Sequence, residues 1–364
     1  MTRRRLAAAA AATSAALALL LAGCAADPAP QTPATGSDSI GAERCAANQA
    51  AGPITFLTSY AYVASVGIID VLAADELGYF DALCLDVTLE AGSANAQLVS
   101  AGTAQLAGLG GASDVMVARD QGALITGVAT YGDTGAIELL TNADSDIREL
   151  SDFVGKTVGY KGAIAPQFQA MFSRNGIDPA SINWVSVGYD PTILPQGQVD
   201  ALAAYKSNEP LTLAAAGHQV TEWDPADYGI ESTFNTQVAN TAWAEANPTA
   251  VEDFLRASFH ALAWLQESDE NLQQALGWAE ARSDAGYEAA SATERFATEV
   301  ALMNGAQPAG LPIGATSAAQ FTPEAEMLLE YDLVKTQPDV EAAQDPDYVA
   351  AIYDGTELVW PAPQ

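Results

Sequence analysis

From Pro53 onward the chain alternates two kinds of pattern. Short runs such as ITFLT (54–58), LDVTLEA (85–91), QLAGLGG (105–111) and LITGVATYG (124–132) have strand character. Between them VGIIDVLAADELGYF (66–80), SANAQLVSAGTA (93–104) and SDVMVARDQG (113–122) read as helices. Gly78 sits near the end of the first, and Ser93 is placed to cap the second. A second cycle follows, with strands expected at 136–142, at the end of 147–162, and at 182–188, 199–205 and 218–224. Helices are expected at 163–176, 191–198 and 210–217. Such alternation implies βαβ units and parallel sheets covered by helices on both faces. Beyond residue 245 the pattern turns helical: Val251, Phe254, Leu255, Phe259, Leu262 and Leu265 form an apolar stripe within 247–268. Further helices are expected near 270–281, 290–304 and 322–332.

The elements group into two α/β lobes. IESTFNTQVAN (230–240) reads as a strand suited to return the chain to the first lobe. The expected division is 53–138 plus 233–364 for lobe 1, with the C-terminal helices, and 139–232 for lobe 2. Two crossings make a clamp, whose cleft lies beyond the carboxyl ends of the strands.

The N-terminus stands apart. Arg3, Arg4 and Arg5 precede an apolar run from Leu6 to Ala22, the layout of an export signal over residues 1–23. A membrane-spanning anchor is the alternative, but the run is mostly Ala and barely reaches the ~20 residues a bilayer needs. It ends in LAGC, which resembles the lipobox of bacterial lipoproteins. That resemblance implies cleavage before Cys24, lipid on Cys24, and an extracytoplasmic protein anchored to the cell membrane. Residues 24–52, rich in Pro, Ser, Thr and small side chains, read as a flexible tether. Cys45 and Cys84 form an even pair, which outside the cytoplasm invites a disulfide; two free thiols are the alternative.

Charge narrows the partners. Removal of residues 1–23 takes away three Arg and no acid, leaving 11 basic against 46 acidic side chains and a formal charge of −35. That balance argues against nucleic acid and anionic lipid. Two histidines, His218 and His260, form no Ser/His/Asp grouping, metal spacing or phosphate loop. The reading is therefore not an enzyme, with no cofactor and no metal.

Four stretches, in this order behind the LAGC motif, carry a family resemblance: IIDVLAADELGYFDALCLDVTLEAG, ELSDFVGKTVGYKG, GQVDALAAYKSNEPLTLAAAGHQV and NPTAVEDFLRASFHALAW. Over about residues 53–270 the chain resembles the substrate-binding proteins of bacterial ABC importers for nitrate, sulfonates, taurine and thiamine-pyrimidine precursors. The resemblance implies a periplasmic-binding-protein-like fold of type II, each lobe a sheet flanked by helices with the ligand cleft between them. It also implies a monomer that captures a small solute and delivers it to an ABC permease in the membrane. The loop SYAYVASVG departs from the family pattern, placing Tyr60 and Tyr62 where many members carry Pro, Asn or His.

In the clamp, candidate ligand-binding residues lie in loops after strands: Tyr60, Tyr62, Ser93, Gly111, Ala112, Ser113 and Tyr131 in the first lobe, and Lys161, Gly162, Ala163, Tyr189, Asn208 and Glu209 in the second. Several sit at helix starts, whose free N–H groups bind polar acceptors. Tyrosines add flat apolar faces with a polar tip. Residues 206–210, KSNEP, interrupt two apolar runs as a strand-to-helix joint, with Asn208 able to cap and Pro210 in the first turn. The joint is expected to open onto the cleft with Glu209 meeting the ligand as an unpaired carboxylate. Such a carboxylate ~4 Å from a bound anion costs on the order of 4 kcal/mol at an effective dielectric near 20. A heteroaromatic solute such as a thiamine pyrimidine precursor is thus favoured over nitrate, a sulfonate or another organic anion. A ligand-sensing partner of a membrane receptor is the reading from another class.

Overall fold

The computed structural model describes residues 40–283, 289–305 and 310–362. The export signal, Cys24 and the start of the tether lie outside the described residues. Among those described, no helix is long and apolar enough to cross a membrane.

The expectation that residues 24–52 are all flexible tether is corrected at its C-terminal end. Ala42–Ala50 is a helix, α1. Its sequence, AERCAANQA, has no apolar stripe to announce it; tertiary ties hold it. Cys45 is disulfide-bonded to Cys84, with Cα atoms 5.3 Å apart. Asn48 donates to Leu83 O at 2.8 Å and to Asp253 Oδ2 at 2.7 Å. Arg44 pairs with Glu252 and Asp253 at 2.6 and 2.7 Å.

The first cycle comprises Ile54–Thr58 (β1), Ile69–Glu76 (α2), Tyr79–Ala82 (α3), Val87–Ala91 (β2), Asn95–Ser100 (α4), Leu106–Leu109 (β3), Ala112–Asp120 (α5) and Ile125–Gly132 (β4). The helix expected over 66–80 is two, because Gly78 takes a left-handed conformation between α2 and α3. Ser93 does not cap α4; the N-cap is Ala94. The second cycle comprises Ile137–Asn142 (β5), Thr157–Tyr160 (β6), Pro166–Arg174 (α6), Asn183–Ser186 (β7), Ala201–Tyr205 (β8), Glu209–Ala215 (α7) and Val220–Trp223 (β9). Phe234–Asn240 (β10) leads into Thr241–Ala246 (α8), Pro248–Glu267 (α9), Asp269–Arg282 (α10), Ala289–Gly305 (α11) and Ala318–Glu330 (α12). Two short helices, Val340–Ala343 (α13) and Asp347–Ala350 (α14), precede a hairpin of Tyr353–Asp354 (β11) and Glu357–Leu358 (β12).

The strands form two sheets of the same plan, ordered β2-β1-β3-β10-β4 and β7-β6-β8-β5-β9. Neither is wholly parallel, contrary to the reading from alternation. β10 runs antiparallel to β3 and β4, and β5 runs antiparallel to β8 and β9. Each antiparallel strand is the first laid down after the chain crosses from the other sheet. A strand entering from the opposite lobe meets the sheet from the cleft side, so it runs against its neighbours. The crossings are the segments 133–136 and 224–233.

Burial holds this frame together. β4 is buried along its whole length. α9 presents Val251, Phe254, Leu255, Phe259 and Leu262 to the first core, where Phe254 lies 5.2 Å from both Phe56 and Phe80 between ring centroids. The second lobe packs Phe153, Phe172 and Trp223 together. Full burial of each such side chain contributes about 1.5–3 kcal/mol.

Candidate functional site

The loops at the carboxyl ends of the parallel strands from both sheets meet around a cavity of about 400 Å³. Ser59 and Tyr60 follow β1, Ser93 follows β2, and Gly110 follows β3. From the second lobe come Lys161 and Gly162 after β6, Tyr189 after β7, and Tyr205 with residues 207–209 at the end of β8. Gly162 sits at φ +66°, which lets the chain turn away directly after Lys161.

Of the thirteen residues proposed from sequence, the cavity brings together Tyr60, Ser93, Lys161, Gly162, Tyr189, Asn208 and Glu209. Tyr60 and Tyr189 come from different lobes, with ring centroids 5.2 Å apart. Both are exposed, at 41% and 63%, unlike the tyrosines of the cores. Tyr205 adds a third exposed ring.

The others lie elsewhere. Tyr131 is fully buried in β4; its hydroxyl donates to Asp70 Oδ2 at 2.5 Å and accepts from Gln237 at 3.0 Å. Strand ends within a covered sheet face the core as readily as the cleft. Burial pushes the Asp70 carboxyl up to about 6, against the lowering effect of the Tyr131 hydrogen bond. The start of α5 does not offer free N–H groups to a ligand. Ala112 N donates to Thr233 Oγ1 at 2.7 Å and Ser113 N donates to Glu324 Oε2 at 3.0 Å. Gly111 packs against Thr233, where a Cβ would come within 2.8 Å of a backbone oxygen. Tyr62 is half-buried and donates to Leu89 O at 2.8 Å, and Ala163 is outside the cavity lining.

Glu209 is corrected in a different way. It lines the cavity but is 2% exposed and not unpaired. Lys161 Nζ donates to its Oε1, and Tyr205 N donates to its Oε2 at 2.8 Å. The first residue of α7 thus closes back on the end of β8 and neutralises the cation of the neighbouring loop. Asn208 is the N-cap of α7 without a side-chain cap; its Oδ1 accepts from Arg295 instead. Lys206 turns from the cavity to the crossings, donating to Gly135 O at 2.7 Å and Asp224 Oδ2 at 2.5 Å.

Sequence reasoning missed Arg295 and Glu299, both on α11. Glu299 is 3% exposed and accepts from Ser65 Oγ and Val66 N at 2.8 Å and from Ser207 Oγ at 2.7 Å. Burial pushes its carboxyl up to about 7, with the Ser207 and Ser65 hydrogen bonds pulling the other way. Also missed was Asp114 on α5, whose Oδ2 accepts from Gly110 N at 3.0 Å. Its place next to Ser113 in sequence was the available signal; α11 had none, since nothing local ties it to the cleft. Among the described residues no group of three or more His, Cys, Asp or Glu could hold a metal ion.

Two mixed sheets joined by two crossings, with a cavity between their strand ends, define a two-lobed binding-protein-like fold. Residues 66–271 match the family described as NMT1/THI5 like, and the chain belongs to it. It is 27% identical over 211 residues to the formylaminopyrimidine-binding protein of Halalkalibacterium halodurans, a match spanning 56% of this chain and 64% of that protein. The latter share is less than two thirds of the relative's length. Among solved structures, the periplasmic aliphatic sulphonate binding protein SsuA from Escherichia coli has a TM-score of 0.59 at 18% identity, covering 80% of this chain and 96% of that one. The desulfurization enzyme DszB has a TM-score of 0.55 at 13% identity, covering 82% and 98%. At such identities these two share the fold alone.

Proposed function

We propose that this protein is an extracytoplasmic solute-binding protein, lipid-anchored through Cys24, that captures a small heteroaromatic solute of the aminopyrimidine kind and delivers it to an ABC permease. The observation that carries the reading is the pair of exposed tyrosines, Tyr60 and Tyr189, contributed by opposite lobes to one cavity. Aromatic walls beside a lining rich in hydroxyl, amide and charged groups suit a flat ring with polar substituents. Of the two cations lining the cavity, Lys161 is already matched by Glu209, and Asp114 and Glu299 bring the carboxylates to three, so the site is unfavourable for a bare anion. The Cys45–Cys84 disulfide agrees with an oxidising compartment. The match to a formylaminopyrimidine-binding protein supports the same ligand class. The working division into lobes follows the expected one, with its first boundary moved from 138 to 136 so that β5 stays whole in the second lobe, and the lobes close on the solute as a hinged clamp.

One observation favours a second reading. Arg295 lines the cavity with a guanidinium that could meet a sulfonate. Thermal-shift measurements with a formylaminopyrimidine, an alkanesulfonate and nitrate decide between them. Only a true ligand raises the melting temperature by mass action. A shift with the pyrimidine alone supports the first reading, and a shift with sulfonate alone replaces it with the second.

A further inference from the structure

Every residue lining the cavity precedes Asn240 in the chain except two, Arg295 and Glu299. Both lie on α11, beyond the segment 66–271 that matches the family. They are four residues apart, so they stand on one face of the helix, one turn above the other. That face reaches both lobes: Glu299 accepts from Ser65 and Val66 of the first and from Ser207 of the second, while Arg295 donates to Asn208 of the second.

The hydrogen-bonding capacity of the two side chains is only partly used. Glu299 Oε1 accepts two hydroxyls, whereas Oε2 accepts the Val66 N–H alone. A carboxylate oxygen has room for two donors. Arg295 carries five N–H donors, and its hydrogen bond among the described residues goes to a neutral amide oxygen. The ion pairs among the described residues do not include it, in contrast to Lys161. Of the cavity's other carboxylates, Glu209 has both oxygens engaged, and Asp114 accepts Gly110 N at Oδ2.

We propose that Arg295 and Glu299 form the specificity pair of the cleft, Glu299 accepting an N–H of the solute while Arg295 donates to an acceptor beside it. The solute then carries a donor and an acceptor side by side, as on the amino-substituted edge of a nitrogen heterocycle. This assignment rests on the reading of the cleft as a heteroaromatic site, and gives the tail a role in selection that the matched segment does not contain. The tyrosines hold the ring, and α11 reads its edge.

Calorimetric titration tests the pair with two probes: a formylaminopyrimidine, and the same pyrimidine with the ring amino group replaced by hydrogen. Glu299→Gln keeps shape and can still meet Ser65, Ser207 and Val66, and its melting temperature without ligand checks that it folds. Loss of a charged hydrogen-bond partner corresponds to a weakening of about tenfold or more. Glu299→Gln is expected to weaken the amino probe by that factor and to leave the binding of the des-amino probe within about twofold. Arg295→Gln is expected to weaken both probes, since both retain the ring acceptor. Equal losses for both probes in Glu299→Gln would show a structural role only and overturn the assignment while leaving the heteroaromatic reading intact. Wild-type protein that binds an alkanesulfonate and neither pyrimidine would overturn both.

Discussion

Replacing Lys161 by methionine isolates the charge pair at the cavity floor. Lys161 is 15% exposed and Glu209 is 2% exposed. Removing the cation leaves Glu209 with one backbone donor, Tyr205 N at 2.8 Å, and almost no solvent. Breaking a buried pair from one side costs about 3–5 kcal/mol. The adjoining cavity admits water that can partly solvate the orphaned carboxylate, so the lower end applies, about 3 kcal/mol. Glu209→Gln should cost less, about 1 kcal/mol, because the longer and more exposed lysine can turn toward the cavity. The double variant Lys161→Met with Glu209→Gln removes the unpaired charge and should recover at least half of the loss. Urea unfolding followed by circular dichroism gives all four values and the coupling between the positions. A Lys161→Met variant within 1 kcal/mol of wild type, or a double variant no more stable than it, would refute the buried-pair account.

Other consequences follow from the same geometry. Tyr60→Leu and Tyr189→Leu should each weaken a bound formylaminopyrimidine up to about tenfold by calorimetry, with little effect on stability, since both rings are exposed. Replacing Cys45 and Cys84 together by serine opens a loop with a sequence separation of 39 and should lower stability by about 2–4 kcal/mol in urea. Glu138, 2% exposed, has its carboxyl pushed up to about 8 by burial and then by Glu222, against the opposing pull of Lys206. A raised carboxyl stabilises the folded state fully below about pH 4.5 and loses that contribution as pH rises through about 8. His260, lowered to about 4 by burial, acts only below its ordinary value of 6.5, so it does not offset this in the alkaline window. Glu299, raised to about 7, adds a smaller loss of the same sign. Stability should therefore fall by on the order of 2–3 kcal/mol between about pH 6.5 and 8.5, and Glu138→Gln should remove the larger part of the slope.

The fold was legible where local pattern and tertiary role agree. β1 and β4 announce themselves as short, largely apolar runs buried almost throughout, and α9 by apolar positions buried at helix spacing. The direction of β5 and β10 was not legible, since both are central strands buried almost throughout and such a run reads the same in either direction. α1 was hidden because its order comes from Asp253, Glu252 and Cys84, all distant in sequence. At the site, loops after strands gave Tyr60, Lys161, Tyr189 and Glu209, because open α/β sheets put their clefts there. The same rule misassigned Ser113, engaged by Glu324 and by Gln167 of the second lobe, and Tyr131, engaged by Asp70 inside the first. The pairing of Glu209 with Lys161 joins residues 48 apart, and no single-chain pattern reports it.

The most direct measurement is a crystal structure of the protein with a formylaminopyrimidine bound. The account predicts density for the ring in the cavity against the faces of Tyr60 and Tyr189, with its polar edge toward Arg295 and Glu299. Ligand density outside this cavity, or contacts confined to one lobe, would contradict it.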